Sequence, residues 1–179
     1  MSFIRQFFLQ SYSNAPFLDE VELIISFVSE KYRPLTKVLA YTGIDVGECV
    51  SLKWADIKDG FLVLPRSKTS IGRRIHLNPT VEEVLTEASR LRILRESRVF
   101  PNHKISGLDS AWERAKKKAG LDWVRLKDLR HFFASHLINA GVDSLIVARL
   151  LGHTDTKMIL KRYGHLADDT IQKAVENFA

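Results

Sequence analysis

The spacing of apolar positions changes period along the chain, and each change predicts an element. From Asp19 onward, Val21, Ile24, Ile25 and Val28 recur at i, i+3, i+4 and i+7, which predicts a helix with one buried stripe. A second helix is expected to start at Pro34, a favourable first-turn residue, and to stop near Gly43. A short helical stretch follows Glu48 and runs to about Leu52. The helical period then gives way to two β-prone runs, Phe61–Leu64 and Arg74–Leu77. The segment between them, Pro65 to Arg73, carries Lys68 and predicts a hairpin with a basic tip. Thr80 and Glu83 have capping-box spacing after Pro79, and Val81, Val84, Leu85, Ala88, Leu91 and Ile93 continue an apolar face. The next helix is expected around Asp109 to Ala119, ending at Gly120. Its Arg114, Lys116, Lys117 and Lys118 form a charge run of the kind that more often marks a solvated face than a binding site. Gly141, Gly152 and Gly164 punctuate the C-terminal third like helix-ending glycines. They divide it into helices at about Leu126–Ala140, Asp143–Leu151, Asp155–Tyr163 with Thr154 as cap, and Asp168–Phe178. With no internal repeat, the pattern predicts an α+β architecture, mainly helical with one small antiparallel β-hairpin or sheet.

Length and composition narrow this picture. A chain of 179 residues is of single-domain size and should bury roughly 70% of its unfolded surface. Its 45% hydrophobic and 27% charged residues exclude intrinsic disorder, and no apolar run approaches the length that spans a bilayer. Residues 1–16 contain Phe3, Ile4, Phe7, Phe8 and Leu9 in a run too short for a secretory signal, so they read as an N-terminal segment or linker remnant. Lys and Arg outnumber Asp and Glu by 27 to 21, a net charge of +6 that suits a polyanionic partner. Cys49 is the sole cysteine, which rules out an intrachain disulfide and a thiolate zinc cluster and suits a reducing compartment.

The candidate chemistry lies toward the C-terminus. On the helix through Leu126–Ala140, Leu126, Leu129, Phe133 and Leu137 can face the core, while Lys127, Arg130 and His131 share an adjoining face. Stacking like charges within one turn costs stability, so an anion over the patch would account for it. A basic rim on an amphipathic helix accounts for it equally. Tyr163 alone reads as a packing residue with a wet hydroxyl.

Taken together, the strings LKDLRHFFASHLINAGVD, LLGHTD and KRYGHL, with TGIDVGECVSLKWADI upstream and a lysine-bearing hairpin between, resemble the catalytic domain of tyrosine recombinases, the phage integrase family. The resemblance runs from about Phe17 to Ala179, so residues 17–179 are expected to form the catalytic domain. It implies DNA cleavage and rejoining in integration or site-specific recombination, with Tyr163 as the nucleophile that forms a 3′-phosphotyrosyl link. It further implies that Arg130 clamps the scissile phosphate, Lys68 protonates the leaving 5′-oxygen and His153 hydrogen-bonds the phosphate. His131 and Glu48 would support the site. Double-stranded DNA is the implied partner and a homotetramer on DNA the implied assembly, the isolated domain being monomeric. No nucleotide cofactor and no metal are implied, and the location would be cytoplasmic and DNA-associated.

Two positions depart from the family pattern. Asp45 stands where the first catalytic arginine is usual, and Lys127 replaces the histidine of the His-x-x-Arg string, keeping a charge and a donor but accepting protons poorly. Three accounts of Asp45 compete. Another cation such as Arg73 or Arg74 takes over the missing role; the chain is a degenerate, non-catalytic DNA-binding module; or Asp45 turns away to pair with a local cation and leaves a weakened site. A type IB topoisomerase shares the tyrosine chemistry and is a further alternative.

Overall fold

The computed structural model describes residues 15–66, 72–92 and 95–153. Helix α1 (Leu18–Phe27) buries Val21, Ile24 and Ile25, the stripe its periodicity predicts. Pro34 sits in the first turn of α2 (Arg33–Thr42), and Gly43 ends it in the left-handed conformation at φ +64°. Helix α3 (Val46–Ser51) follows at once, and a 3-10 turn, Trp54–Asp56, leads into the sheet.

The sheet has three strands in the order β1 (Ile57–Lys58), β2 (Phe61–Leu64) and β3 (Arg73–His76), antiparallel throughout. The hairpin partners pair Leu62 with Ile75 and Leu64 with Arg73, so the alternation of side chains places Arg73 on the inner face and Arg74 on the outer. β1 is only two residues long, too short to show a period in the sequence. β3 begins one residue earlier than expected, because Arg73 pairs with Leu64 and is itself buried.

Helix α4 (Pro79–Arg90) corrects the expected cap. Asn78 holds the N-cap and accepts a hydrogen bond from the Val81 N–H at 3.1 Å, with Pro79 in the first turn, so Thr80 and Glu83 lie inside the helix rather than forming the box. The helix stops before Leu91, which is 84% exposed and leaves the apolar face; Ile93 lies outside the described residues. Helix α5 (Ile105–Lys118) starts four residues before Asp109. Within its charge run Lys116 is buried and ion-paired to Glu113 at 2.9 Å, while Arg114, Lys117 and Lys118 are exposed.

Helix α6 (Asp128–Asn139) starts at Asp128 rather than Leu126, because the Asp128 carboxylate reaches back to accept the Arg125 N–H at 2.9 Å and closes the preceding turn. Helix α7 (Ser144–Leu151) starts at an Asp143 cap and ends at Gly152, φ +73°. The expected helices beyond Thr154 lie outside the described residues.

Packing divides into two apolar clusters. The large one gathers α1 to α5, the sheet and one side of α6, with Trp112, Leu108, Leu35 and Leu62 fully enclosed. The small one joins the other side of α6 to α7 through Ala134, Ile138, Val147, Ala148 and Leu151. Because α6 serves both, a single stripe misassigns it: Leu126 and Leu129 are buried as expected, Phe132 enters the large core, and Phe133 and Leu137 are half-buried against the small cluster. Cys49 lies wholly inside the large core, and burial pushes its thiol well above the usual range. Among the described residues, no helix is long and apolar enough to cross a membrane.

Candidate functional site

The site forms where the ends of α2 and α7 meet the first turn of α6. Gly43 makes this approach feasible. A side chain there would need a positive φ and would drive its Cβ into Phe133 Cδ1, 2.9 Å from Phe133 Cγ and 3.0 Å from Leu151 Cδ2. With no side chain in the way, the Arg130 guanidinium donates from Nη1 to the Gly43 carbonyl at 2.8 Å and from Nη2 to the Leu151 carbonyl at 2.5 Å. These are carbonyls at helix ends, which lack intrahelical partners, so one cation caps two helices at once. Nη2 also approaches His153 Nε2 at 3.5 Å. Arg130 and His153, 23 residues apart in sequence, are thus adjacent in space.

Glu48 lies on the same side of the site. Its Oε1 and Oε2 accept from Arg73 Nη1 and Nη2 at 2.8 and 2.7 Å, and Oε2 also accepts the Asp45 N–H at 2.8 Å. Burial on its own raises the Glu48 carboxyl, but the Arg73 hydrogen bonds, the Asp45 N–H and the charges of Arg73 and Arg130 outweigh it and hold the group below its ordinary range. Glu48 is therefore an anion at neutral pH, fixed by Arg73 and the Asp45 N–H.

Asp45 is exposed and caps α3. Its carboxylate accepts the Gly47 N–H at 2.9 Å, reciprocating the bond from its own N–H to Glu48. Asp45 is two residues from Gly43, whose carbonyl Arg130 holds, and its carboxylate is spent on backbone rather than on a local cation. The two cations considered as substitutes also have other duties. Arg73 is bound to Glu48 and donates from Nε to the Leu150 carbonyl at 2.8 Å. Arg74 lies on the outer face of β3 with its guanidinium 4.2 Å from the centre of the Phe61 ring.

Lys127 is exposed at the N-cap of α6, and His131 is half-buried one turn on. Lys127 and Arg130 therefore flank the positive end of a twelve-residue helix. Lys68 and Tyr163 lie outside the described residues. Sequence reasoning missed the Arg125–Asp128 pair. Burial raises the Asp128 carboxyl, but the hydrogen bonds from the Arg125 side chain and N–H and the charges of Arg125 and His131 outweigh it and hold it low. An Arg-x-x-Asp spacing ahead of an apolar run was its only signal. Among the described residues, no group of three or more His, Cys, Asp or Glu could hold a metal.

Residues 18–170 match the phage integrase family. The integrase of Salmonella phage P22 is 28% identical over 160 residues, covering 78% of this chain and 41% of that protein. The tyrosine recombinase XerC of Staphylococcus aureus is 26% identical over 176 residues, covering 89% of this chain and 59% of that protein. The chain thus spans about half the length of the curated relatives it matches. In three dimensions it resembles the crystal structure of the XerA recombinase, with a TM-score of 0.73 at 24% identity, covering 93% of this chain and 66% of that one.

Proposed function

The chain belongs to the phage integrase family of tyrosine recombinases, and from that premise we propose that residues 17–179 form a catalytic domain that cleaves and rejoins double-stranded DNA through Tyr163. The Tyr163 hydroxyl oxygen attacks a backbone phosphorus, its proton passes to an acceptor, and the bond from phosphorus to the 5′-oxygen breaks as that oxygen takes up a proton from Lys68. A 3′-phosphotyrosyl link and a free 5′-hydroxyl result. The reverse reaction with a different 5′-hydroxyl rejoins the strand, and the bond energy conserved in the link makes a nucleotide cofactor unnecessary.

The observation that carries this reading is the meeting of Arg130 and His153 beside the Gly43 turn. Negative charge grows on the non-bridging oxygens in the transition state. Donors fixed in advance, as Arg130 is by two carbonyls, stabilise that charge without reorganising, and one such donor is worth roughly 3–4 kcal/mol. Lys127 at the start of α6 adds a second cation to the same anion site.

Incubating the protein with duplex DNA nicked near a randomised core, then denaturing in detergent, traps any covalent adduct. The reading expects an adduct that Tyr163→Phe abolishes; its absence across sequences and salt conditions would overturn the enzymatic claim. Asp45 favours a second reading. With its carboxylate used as a helix cap, Asp45 supplies no cation where the first arginine is usual, so on this reading the domain occupies DNA without cutting it. Salt-sensitive duplex binding with no adduct would identify that state. Relaxation of supercoiled DNA without sequence preference would instead indicate a topoisomerase.

A further inference from the structure

Arg73 is a cation buried where no bound anion is needed to explain it. Its side chain is 4% exposed, and its guanidinium joins three elements: β3, which carries it; α3, through both Glu48 oxygens; and α7, through the Leu150 carbonyl. Gly152 leaves room for this bridge, since a Cβ there would lie 3.0 Å from the Arg73 guanidinium carbon. The next carbonyl along, Leu151, is the one Arg130 holds at 2.5 Å. Two arginines from different elements therefore grip consecutive peptide groups, whose Cα atoms are about 3.8 Å apart. Any shift of one grip moves the acceptor of the other, and His153 follows two residues later. Glu48 receives Arg73 directly through both oxygens, and the charge of Arg130 also acts on it.

A buried ion pair is a poor way to gain stability, since apolar side chains of similar volume often do as well. A forked guanidinium does fix direction, because two parallel hydrogen bonds define a plane and a third fixes its edge. We infer that Arg73, with Glu48, is a positioning residue that sets the pose of Arg130 against the scissile phosphate. This rests on the phosphotyrosine reading above and goes beyond it by assigning a role to a residue whose side chain is buried behind Glu48 and the Leu150 carbonyl.

Arg73→Lys tests the inference, because it keeps the charge and loses the fork. Glu48→Gln is the second variant, keeping shape and losing the anion. Adduct formation is compared on the DNA captured by the wild type and on the same DNA with a methylphosphonate at the cleaved position, where a methyl group replaces a charged oxygen. That substrate has less charge for an arginine to neutralise. Arg130→Ala on both substrates supplies the reference pattern. The expected result is a loss of about tenfold or more on the phosphodiester and less than about threefold on the methylphosphonate, for each variant that retains the wild-type circular dichroism spectrum. Equal losses on both substrates would make Arg73 merely structural and overturn the inference, as would wild-type rates on both. If Arg73→Lys does not fold, Glu48→Gln decides by the same ratio. A wild type that forms no adduct on either substrate overturns the enzymatic reading itself, an outcome distinct from any of these.

Discussion

The two apolar clusters are held together by different physics. The large core encloses Trp112, Leu108, Ile24 and Leu35 completely, and its polar bonds, such as Trp112 Nε1 to the Val124 carbonyl at 3.1 Å, finish a structure that apolar burial already determines. The small cluster between α6 and α7 has few large side chains. Besides the packing of the shared helix α6, its attachment to the rest runs through guanidinium bonds to the last carbonyls of α7. Burial is tolerant of small shifts, whereas a forked hydrogen bond is not. The corner that carries Arg130 and His153 thus combines a small apolar cluster with geometry fixed by forked hydrogen bonds.

The sharpest way to break this contrast is in the large core. Trp112→Ala should destabilise by about 3–5 kcal/mol, read as a lower midpoint in urea with cooperative loss of all helical signal. Ile138→Ala in the small cluster should cost about 2 kcal/mol, the low end for such a truncation because a small cluster can collapse around the gap. Hydrogen exchange should locate that loss in α6 and α7 and leave α1 to α5 protected. If instead exchange rises uniformly, the two clusters are one cooperative unit and the contrast fails.

Acid acts on the polar attachment. Glu48 is held below its ordinary value of 4.5, so it stabilises the fold at neutral pH and that contribution is lost as pH falls from about this value through its lower folded value. Stability followed from pH 7 into acid should fall less steeply in Glu48→Gln than in the wild type. Equal slopes would remove Glu48 from the attachment. Asp45 gives a smaller effect. Asp45→Ala should cost about 1 kcal/mol through the lost cap of α3, and Asp45→Arg should cost a similar amount while raising cleavage if the site is merely weakened. The smallest change is expected at exposed Leu145, where Leu145→Gln should stay within about 0.5 kcal/mol.

The elements that could be read from the sequence were those with one face to bury. Helices α1 and α2 and the hairpin strands announce themselves because a single core sorts their residues. Helix α6 did not, since it faces two clusters and its sorting is the sum of two stripes. Its start was hidden for another reason, because Asp128 caps backward through Arg125 rather than by an ordinary Ser or Thr. The same holds for the candidate site. Arg130, His153 and Glu48 were legible through motif resemblance, and their convergence is a matter of chain geometry that spacing does not encode. The duty of Asp45 was open in the sequence, and the cap it forms on α3 was none of the accounts considered, since its partner is a backbone N–H rather than a local cation. Arg73 looked like a spare cation near a hairpin. Only the pairing of Leu64 with Arg73, which turns that side chain inward, shows it to be a bridge.

Cys49 has a practical consequence for separating these regions. The only thiol in the chain is sealed in the large core, so a thiol-modifying reagent finds nothing to react with until that core opens. Its reaction rate is then a clock for global unfolding and is blind to excursions of α7. Motions of the corner that presents Arg130 can be timed separately by a cysteine introduced at buried Val147 in the small cluster, giving one chain two chemical stopwatches, one for each region.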